Sequence, residues 1–139
     1  MMRKYLLPLS FIIVIGISVL ITVNPFQAPI VKEDPISQKW DDIDQEEVLM
    51  EVGNEHVEMV DLREEELYRK GHISGAINIP YEEFQDRYDE LNQEKRIILI
   101  CHTGRMGVES ADFLVEKGYD KVANFGGGMA VWDGPLSIE

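Results

Sequence analysis

The hydrophobic positions of this chain separate an apolar N-terminal stretch from a region of short alternating elements. No residue from Tyr5 to Val31 carries a charge, and the apolar centre of this stretch runs from Leu6 to Val23. As a helix, Tyr5 to Val23 would measure about 28 Å, which nearly matches a hydrocarbon core of about 30 Å. The pattern therefore predicts that residues 1–23 form one transmembrane or signal helix.

The residues around this stretch predict its orientation and leave its processing open. Arg3 and Lys4 precede it and are expected to stay in the cytoplasm, so the rest of the chain would be exported. A cleaved signal usually has a shorter apolar region and a small-x-small cleavage site, whereas the best cleavage position here, after Ala28, has the bulky Phe26 two residues before it. We therefore expect a single-pass anchor in the cell membrane, with secretion after signal cleavage as the alternative. Residues 24–39 are interpreted as an extended, proline-containing linker.

Residues 40–139 alternate strand patterns with helix patterns. Strands are predicted at 40–43, 56–61, 76–79, 96–100 and 121–125. Helices are predicted at 44–52, 64–70, 81–91 and 107–118, with one further turn at 129–132. The segment 96–100 is a continuous apolar run, as expected when both faces of a strand are buried. The alternation predicts an α/β domain with a mostly parallel central sheet flanked by helices.

Charge and composition restrict the partners of this domain. The chain has 13 basic and 26 acidic residues and a net charge of −13. Such an acidic surplus argues against nucleic-acid binding, which needs clustered Lys and Arg, and it disfavours docking on anionic lipid. Membrane contact is therefore expected only through the N-terminal segment. The chain has 1 cysteine and 3 scattered histidines, so we expect neither an internal disulfide nor a metal site, and no cofactor.

Cys101 is the strongest candidate for chemistry. It directly follows the buried strand at 96–100, and ligands of open α/β sheets bind beyond the carboxyl ends of the strands. The loop at 102–107 leads straight into a helix, and the N–H groups of such a loop form a concavity that favours a thiolate. Arg105 adds a full positive charge. We interpret Cys101 as a nucleophile facing an anion pocket; the alternative is a small buried core residue. His102 is expected to shape the loop, since adjacent side chains usually point apart.

Three segments of the sequence resemble those of single-domain rhodaneses, a family of thiosulfate:thiol-type sulfurtransferases. Residues 61–63 with 71–80 resemble the first signature of the family, and residues 101–107 resemble its active-site loop. Residues 127–129 with Trp132 resemble its C-terminal signature. One departure is Leu67, because family members usually carry a glutamate four residues before the glycine that opens the Gly-His-Ile sequence.

The resemblance implies a three-layer rhodanese-like fold and a specific set of roles. Cys101 would take sulfane sulfur from thiosulfate, a polysulfide or a persulfide and pass it to a thiol acceptor. The substrate-binding residues, whose N–H groups would cradle that sulfur, are His102, Thr103, Gly104, Arg105, Met106 and Gly107. Asp61 and Arg63 would give structural support as a buried ion pair. His72 would fix the turn before a short strand.

Two other function classes stay open. A catalytically silent binding module in the cell envelope would share the fold, although such modules usually lack the cysteine, which is present here as Cys101. Cysteine phosphatases and arsenate reductases have nearly the same fold, but they carry an arginine six residues after the cysteine, where this chain has Gly107. Arg105 stands at the fourth position. It is expected either to attract an anionic sulfur donor or to pair with Glu109 on the following helix.

Overall fold

A five-stranded parallel sheet organises residues 39–138, the part of the chain that the computed structural model describes. The strands are β1 (Asp41–Ile43), β2 (Val57–Asp61), β3 (His72–Ile73), β4 (Ile77–Asn78), β5 (Arg96–Ile100), β6 (Val122–Phe125) and β7 (Leu136–Ser137). The sheet has the order β1-β6-β5-β2-β4, and every neighbouring pair in it is parallel. The predicted α/β class with a mostly parallel sheet is therefore confirmed. β3 and β7 form a separate antiparallel pair that the sequence pattern did not reveal, because two residues are too few to show an alternation.

The helices fall close to their predicted positions. They are α1 (Gln45–Glu51), α2 (Glu65–Lys70), α3 (Tyr81–Arg87) and α4 (Arg105–Glu116). Asp44 caps α1, since its side chain accepts a hydrogen bond from the Glu47 N–H at 3.0 Å. The prediction of one helix over 81–91 was too long: α3 ends at Arg87 and continues as a 3-10 turn (Tyr88–Glu90). The carbonyl oxygen of Tyr88, the first residue of this turn, accepts a hydrogen bond from the Tyr119 hydroxyl.

Both faces of the sheet are buried, which explains the apolar run of β5. Alternate residues of that strand belong to two separate hydrophobic clusters: Ile97 and Leu99 to one, Ile98 and Ile100 to the other. The first cluster also contains Phe84 of α3 and Leu114 of α4, whereas the second contains Val48 of α1. The domain therefore has three layers, with the sheet between helices.

A buried ion pair stabilises the carboxyl end of β2. Asp61 is fully buried and Arg63 is 8% exposed, and Arg63 Nη2 lies 2.6 Å from Asp61 Oδ2. The same guanidinium nitrogen donates to the carbonyl oxygen of Gly71 at 2.8 Å. The pair therefore connects the end of β2 to the segment that leads into β3.

His72 lies in β3 and is buried. Its ring stacks on that of Tyr68 with 3.8 Å between centroids, and its Nδ1 lies 3.0 Å from the Tyr68 carbonyl oxygen. These contacts hold the turn between α2 and β3. Among residues 39–138, no three His, Cys, Asp or Glu side chains lie close enough together to hold a metal ion.

Within residues 39–138, no helix is long and apolar enough to cross a membrane. The predicted anchor or signal segment, residues 1–23, and the linker up to residue 38 lie outside the described residues. Both remain predictions.

We expect Asp61→Ala to lower the free energy of unfolding by about 3–5 kcal/mol, because it leaves the Arg63 charge buried without its partner. The measurement is urea denaturation followed by circular dichroism. Glu65→Ala is the control, since it removes the partner of Arg69 in an ion pair that is mostly exposed and should cost less than about 1 kcal/mol. Equal losses in the two variants would contradict a stabilising role for the buried pair.

Candidate active site

Cys101 lies at the carboxyl end of β5, in the middle of the sheet between β2 and β6. The residue is only 1% exposed, and it belongs to the same hydrophobic cluster as Leu62 and Ala111. Its Sγ accepts a hydrogen bond from the backbone N–H of Gly104 at 3.0 Å. The sulfur therefore lies at the floor of the loop that follows β5, in contact with a backbone donor.

The loop after Cys101 is short, because α4 begins at Arg105. Of the six N–H groups predicted to cradle the sulfur, that of Gly104 is the one whose hydrogen bond to Sγ is found in the described structure. Those of Arg105, Met106 and Gly107 lie in the first turn of a 12-residue helix, where backbone donors have no partner within the helix. The partial positive charge of that helix end favours an anion at the sulfur position.

Two glycines allow the loop to pack against the C-terminal turn. Gly104 has φ of +84°, and a Cβ on it would lie 2.0 Å from the carbonyl oxygen of Gly126. Gly128 has φ of +57°, and a Cβ there would lie 2.5 Å from the Cys101 carbonyl oxygen. Both positions therefore require glycine, for the backbone conformation and for the space.

Backbone hydrogen bonds join the three segments that resemble the rhodanese signatures. The Met129 N–H donates to the Cys101 carbonyl at 2.8 Å, and the Ala130 N–H donates to the His102 carbonyl at 2.9 Å. On the other side, the Leu62 N–H donates to the Ile100 carbonyl at 2.7 Å. The C-terminal turn is thus bonded to the active-site loop, and the first segment is bonded to the residue directly before Cys101.

The side chains of the loop divide between two cavities. His102 and Met106 line a cavity of about 160 Å³ together with Leu62 and Arg63 of the first signature. Thr103, Gly104 and Arg105 line a different cavity of about 310 Å³, bordered by β1 and β6. Of the predicted supporting residues, Arg63 thus also borders the loop, whereas the buried Asp61 and His72 line neither cavity.

Arg105 projects into solvent with 88% of its side chain exposed, and its Nε lies 4.0 Å from Glu109 Oε1. A pair this long and exposed contributes little, so the guanidinium keeps most of its capacity to attract an anion. Gly107, where the phosphatases carry an arginine, is buried, and a Cβ there would lie 1.8 Å from Oδ1 of Asn124. A larger side chain at that position would require the buried Asn124 side chain to move.

A hydrogen bond joins α3 to α4 next to the cavity that His102 and Met106 line, since Tyr81 lines that cavity too. The Tyr81 hydroxyl donates to the Glu109 carboxylate, and this bond, with desolvation as the next cause, raises the pKa of Tyr81 above its ordinary value. Tyr81 therefore stays a neutral donor. No pattern along the chain indicated Tyr81 as a site residue, because its contact depends on how two helices pack.

The family model of the rhodanese-like domain matches residues 25–134. A putative sulfur carrier protein of Bacillus subtilis, YrkF, is 40% identical over 82 residues, covering 59% of this chain and 44% of that protein. The thiosulfate sulfurtransferase GlpE of Actinobacillus pleuropneumoniae is 32% identical over 82 residues, covering 59% of this chain and 76% of the relative. This chain therefore matches less than half of the length of YrkF and about three quarters of that of GlpE.

Solved structures share the fold. A rhodanese-related protein from Thermoplasma volcanium superposes with a TM-score of 0.66 at 23% identity, covering 72% of this chain and 100% of that one. A rhodanese-like domain protein from Staphylococcus aureus gives a TM-score of 0.64 at 27% identity, covering 71% of this chain and 98% of that one. The matched residues, the shared fold and the three converging segments agree: this chain belongs to the rhodanese-like domain family.

Proposed function

We propose that this chain is a sulfurtransferase that carries sulfane sulfur as a persulfide on Cys101. The observation that carries the proposal is the hydrogen bond of 3.0 Å that the Gly104 N–H donates to Cys101 Sγ, directly before the start of α4. A backbone donor and a helix N-terminus both stabilise negative charge, and the thiolate and the persulfide are both anions. The similarity to proteins named as a thiosulfate sulfurtransferase and a putative sulfur carrier supports the same chemistry.

In the first step, the Cys101 thiolate attacks the outer sulfur of thiosulfate. A new S–S bond forms, the S–S bond of thiosulfate breaks, and sulfite leaves with the electron pair. In the second step, an acceptor thiolate attacks the outer sulfur of the Cys101 persulfide and leaves with it, which restores the Cys101 thiolate. Charge and atoms balance in each step. A polysulfide or a small persulfide serves as the donor in the same way.

Each loop residue has a place in this cycle. The N–H groups of residues 102–107 stabilise the anionic sulfur, and Gly104 already donates to Sγ. Cys101 is 1% exposed, so a donor has to pass the side chains of the loop to reach its sulfur. Arg105 attracts an anionic donor. That attraction has to be local, because residues 39–138 hold 10 basic and 23 acidic residues and repel a dianion at long range.

We also propose that the domain lies outside the cytoplasm, joined to the cell membrane by residues 1–23. Arg3 and Lys4 before an uncharged stretch support this orientation. Secretion after signal cleavage is the alternative. A silent binding module is the competing function, and sulfur loading on Cys101 separates the two.

We expect thiosulfate to raise the mass of the purified full-length chain by the mass of one sulfur atom, located on Cys101 by peptide mass spectrometry. Cys101→Ser should show no such shift, and a small thiol should remove the added sulfur from the wild type. Absence of any adduct with thiosulfate, polysulfide and persulfide donors alike would favour the silent module.

We expect Arg105→Ala to lower kcat/KM for thiosulfate about twofold to fivefold, because an exposed charge contributes only modestly. The loss should appear in KM, shrink at high salt, and be absent with a neutral organic trisulfide as the donor. Lys117→Ala is the control, since it removes a cation from the opposite end of α4. Equal losses with charged and neutral donors would instead give Arg105 a role in loop structure.

Labelling in intact cells tests the orientation. In a Cys101→Ser background, we expect Glu55→Cys to react with a maleimide that cannot cross membranes, because the Glu55 side chain is 89% exposed. Met2→Cys should react only after lysis. The reverse pattern would place the domain in the cytoplasm, and labelled protein in the medium would indicate signal cleavage.

A further inference from the structure

A partly apolar groove lies beside the active-site loop, on the opposite side from Arg105. It is the cavity of about 160 Å³ described above, which Leu67 of α2 also lines, facing the loop residues His102 and Met106. Leu67 is 42% exposed, so its side chain is accessible to a ligand in the groove. We call this surface the Leu67–Met106 groove. Because the groove lies next to the Cys101 loop, it is a candidate binding site for a molecule that exchanges sulfur with Cys101.

Two carboxylates, Glu64 and Glu82, form the rim of the groove. Both residues also line a larger cavity of about 600 Å³ that extends the same surface between α2 and α3. Neither carboxylate has an ion-pair partner among residues 39–138. The groove therefore presents two uncompensated negative charges at its mouth.

The cations near the groove are already paired with acids of this chain. Arg63 is bound to Asp61 at 2.6 Å. In the larger cavity, Arg69 is bound to Glu65 at 2.6 Å, and Arg87 pairs with Glu83 of its own helix at 2.9 Å. The surface thus complements a cation and an apolar side chain, and it repels an acidic ligand.

Resting on the proposed function, we infer that the Leu67–Met106 groove docks a segment of an acceptor protein whose reactive cysteine stands beside an apolar residue and a basic residue. The apolar side chain would pack against Leu67 and Met106, while the basic one would lie between Glu64 and Glu82. A second copy of this chain is a poor partner, because its residues 39–138 carry 10 basic and 23 acidic residues and would be repelled by the acidic rim. Arg105 serves the other side of the loop, so that an anionic donor and a cationic acceptor approach Cys101 from different directions.

The test uses the full-length chain loaded with sulfur from thiosulfate and then freed of donor. It is mixed with two synthetic peptides of equal length that carry Leu before the cysteine and either Lys or Glu after it. We expect the Lys peptide to take the sulfur about threefold to tenfold faster, as two exposed charge pairs allow, and this preference should fall at high salt.

Because a neighbouring lysine also makes the peptide thiol itself more reactive, the deciding comparison is between protein variants. The double variant Glu64→Gln, Glu82→Gln should lose most of the threefold to tenfold preference, measured as the ratio of the transfer rate to the Lys peptide over that to the Glu peptide. Glu46→Gln with Glu116→Gln is the matched control, since these exposed helix-terminal acids line neither cavity, and it should leave the ratio unchanged. An equal ratio in the wild type and both double variants would overturn the inference.

A second pair of variants tests the apolar part of the groove. Leu67→Ser should slow transfer to both peptides about twofold to fivefold, because it removes apolar contact area. Leu49→Ser on α1 is the control, since Leu49 is 40% exposed, close to the 42% of Leu67, and lies outside the groove. Equal effects of the two variants would count against docking at Leu67.

Binding measured without chemistry separates this inference from the proposed function. Fluorescent peptides with serine in place of cysteine are titrated with the unloaded chain, and anisotropy reports their binding. Weaker binding of the Lys peptide to the Glu64→Gln, Glu82→Gln variant supports the groove even if Cys101 accepts no sulfur. Equal binding by wild type and variant overturns the groove even if Cys101 accepts sulfur from thiosulfate.

Discussion

The backbone of the Cys101 loop lies against the C-terminal turn at distances that only glycine permits. A Cβ on Gly104 would lie 2.0 Å from a backbone oxygen, and one on Gly128 would lie 2.5 Å from another. This contact brings the start of α4 close to the end of β5. The Gly104 N–H can then donate its hydrogen bond to Cys101 Sγ. Without it, the sulfur would lie in an apolar cluster with no donor to stabilise its charge.

The same contact with the C-terminal turn supplies hydrogen-bond donors for the carbonyls of the loop. The Cys101 and His102 carbonyls accept hydrogen bonds from the Met129 and Ala130 N–H groups, so both of these loop carbonyls are satisfied. On the far side, the ion pair of Asp61 and Arg63 connects β2 to the segment before β3. These contacts on both sides of the short loop restrain its backbone, as a preorganised anion site requires.

Charge around the loop is distributed unevenly, although the domain as a whole is acidic. Arg105 stands exposed on the side bordered by β1 and β6, whereas Glu64 and Glu82 stand on the side bordered by α2 and α3. In the cycle proposed above, two different partners meet the Cys101 sulfur in turn. The exposed cation on one side of the loop and the two carboxylates on the other would then distinguish these partners by charge and not by size alone.

The sequence by itself determined the alternation of elements, the buried strand β5 and the position of Cys101 at its end, because periodicity and glycine placement are local properties. It also indicated the family, since three short segments occur in a specific order. Only the tertiary structure decided what those segments contact: that Gly128 touches Cys101, that Tyr81 bonds to Glu109, that β3 pairs with β7, and that loop side chains face two cavities. These contacts join residues far apart in the chain, and no local pattern encodes which helix face meets which strand.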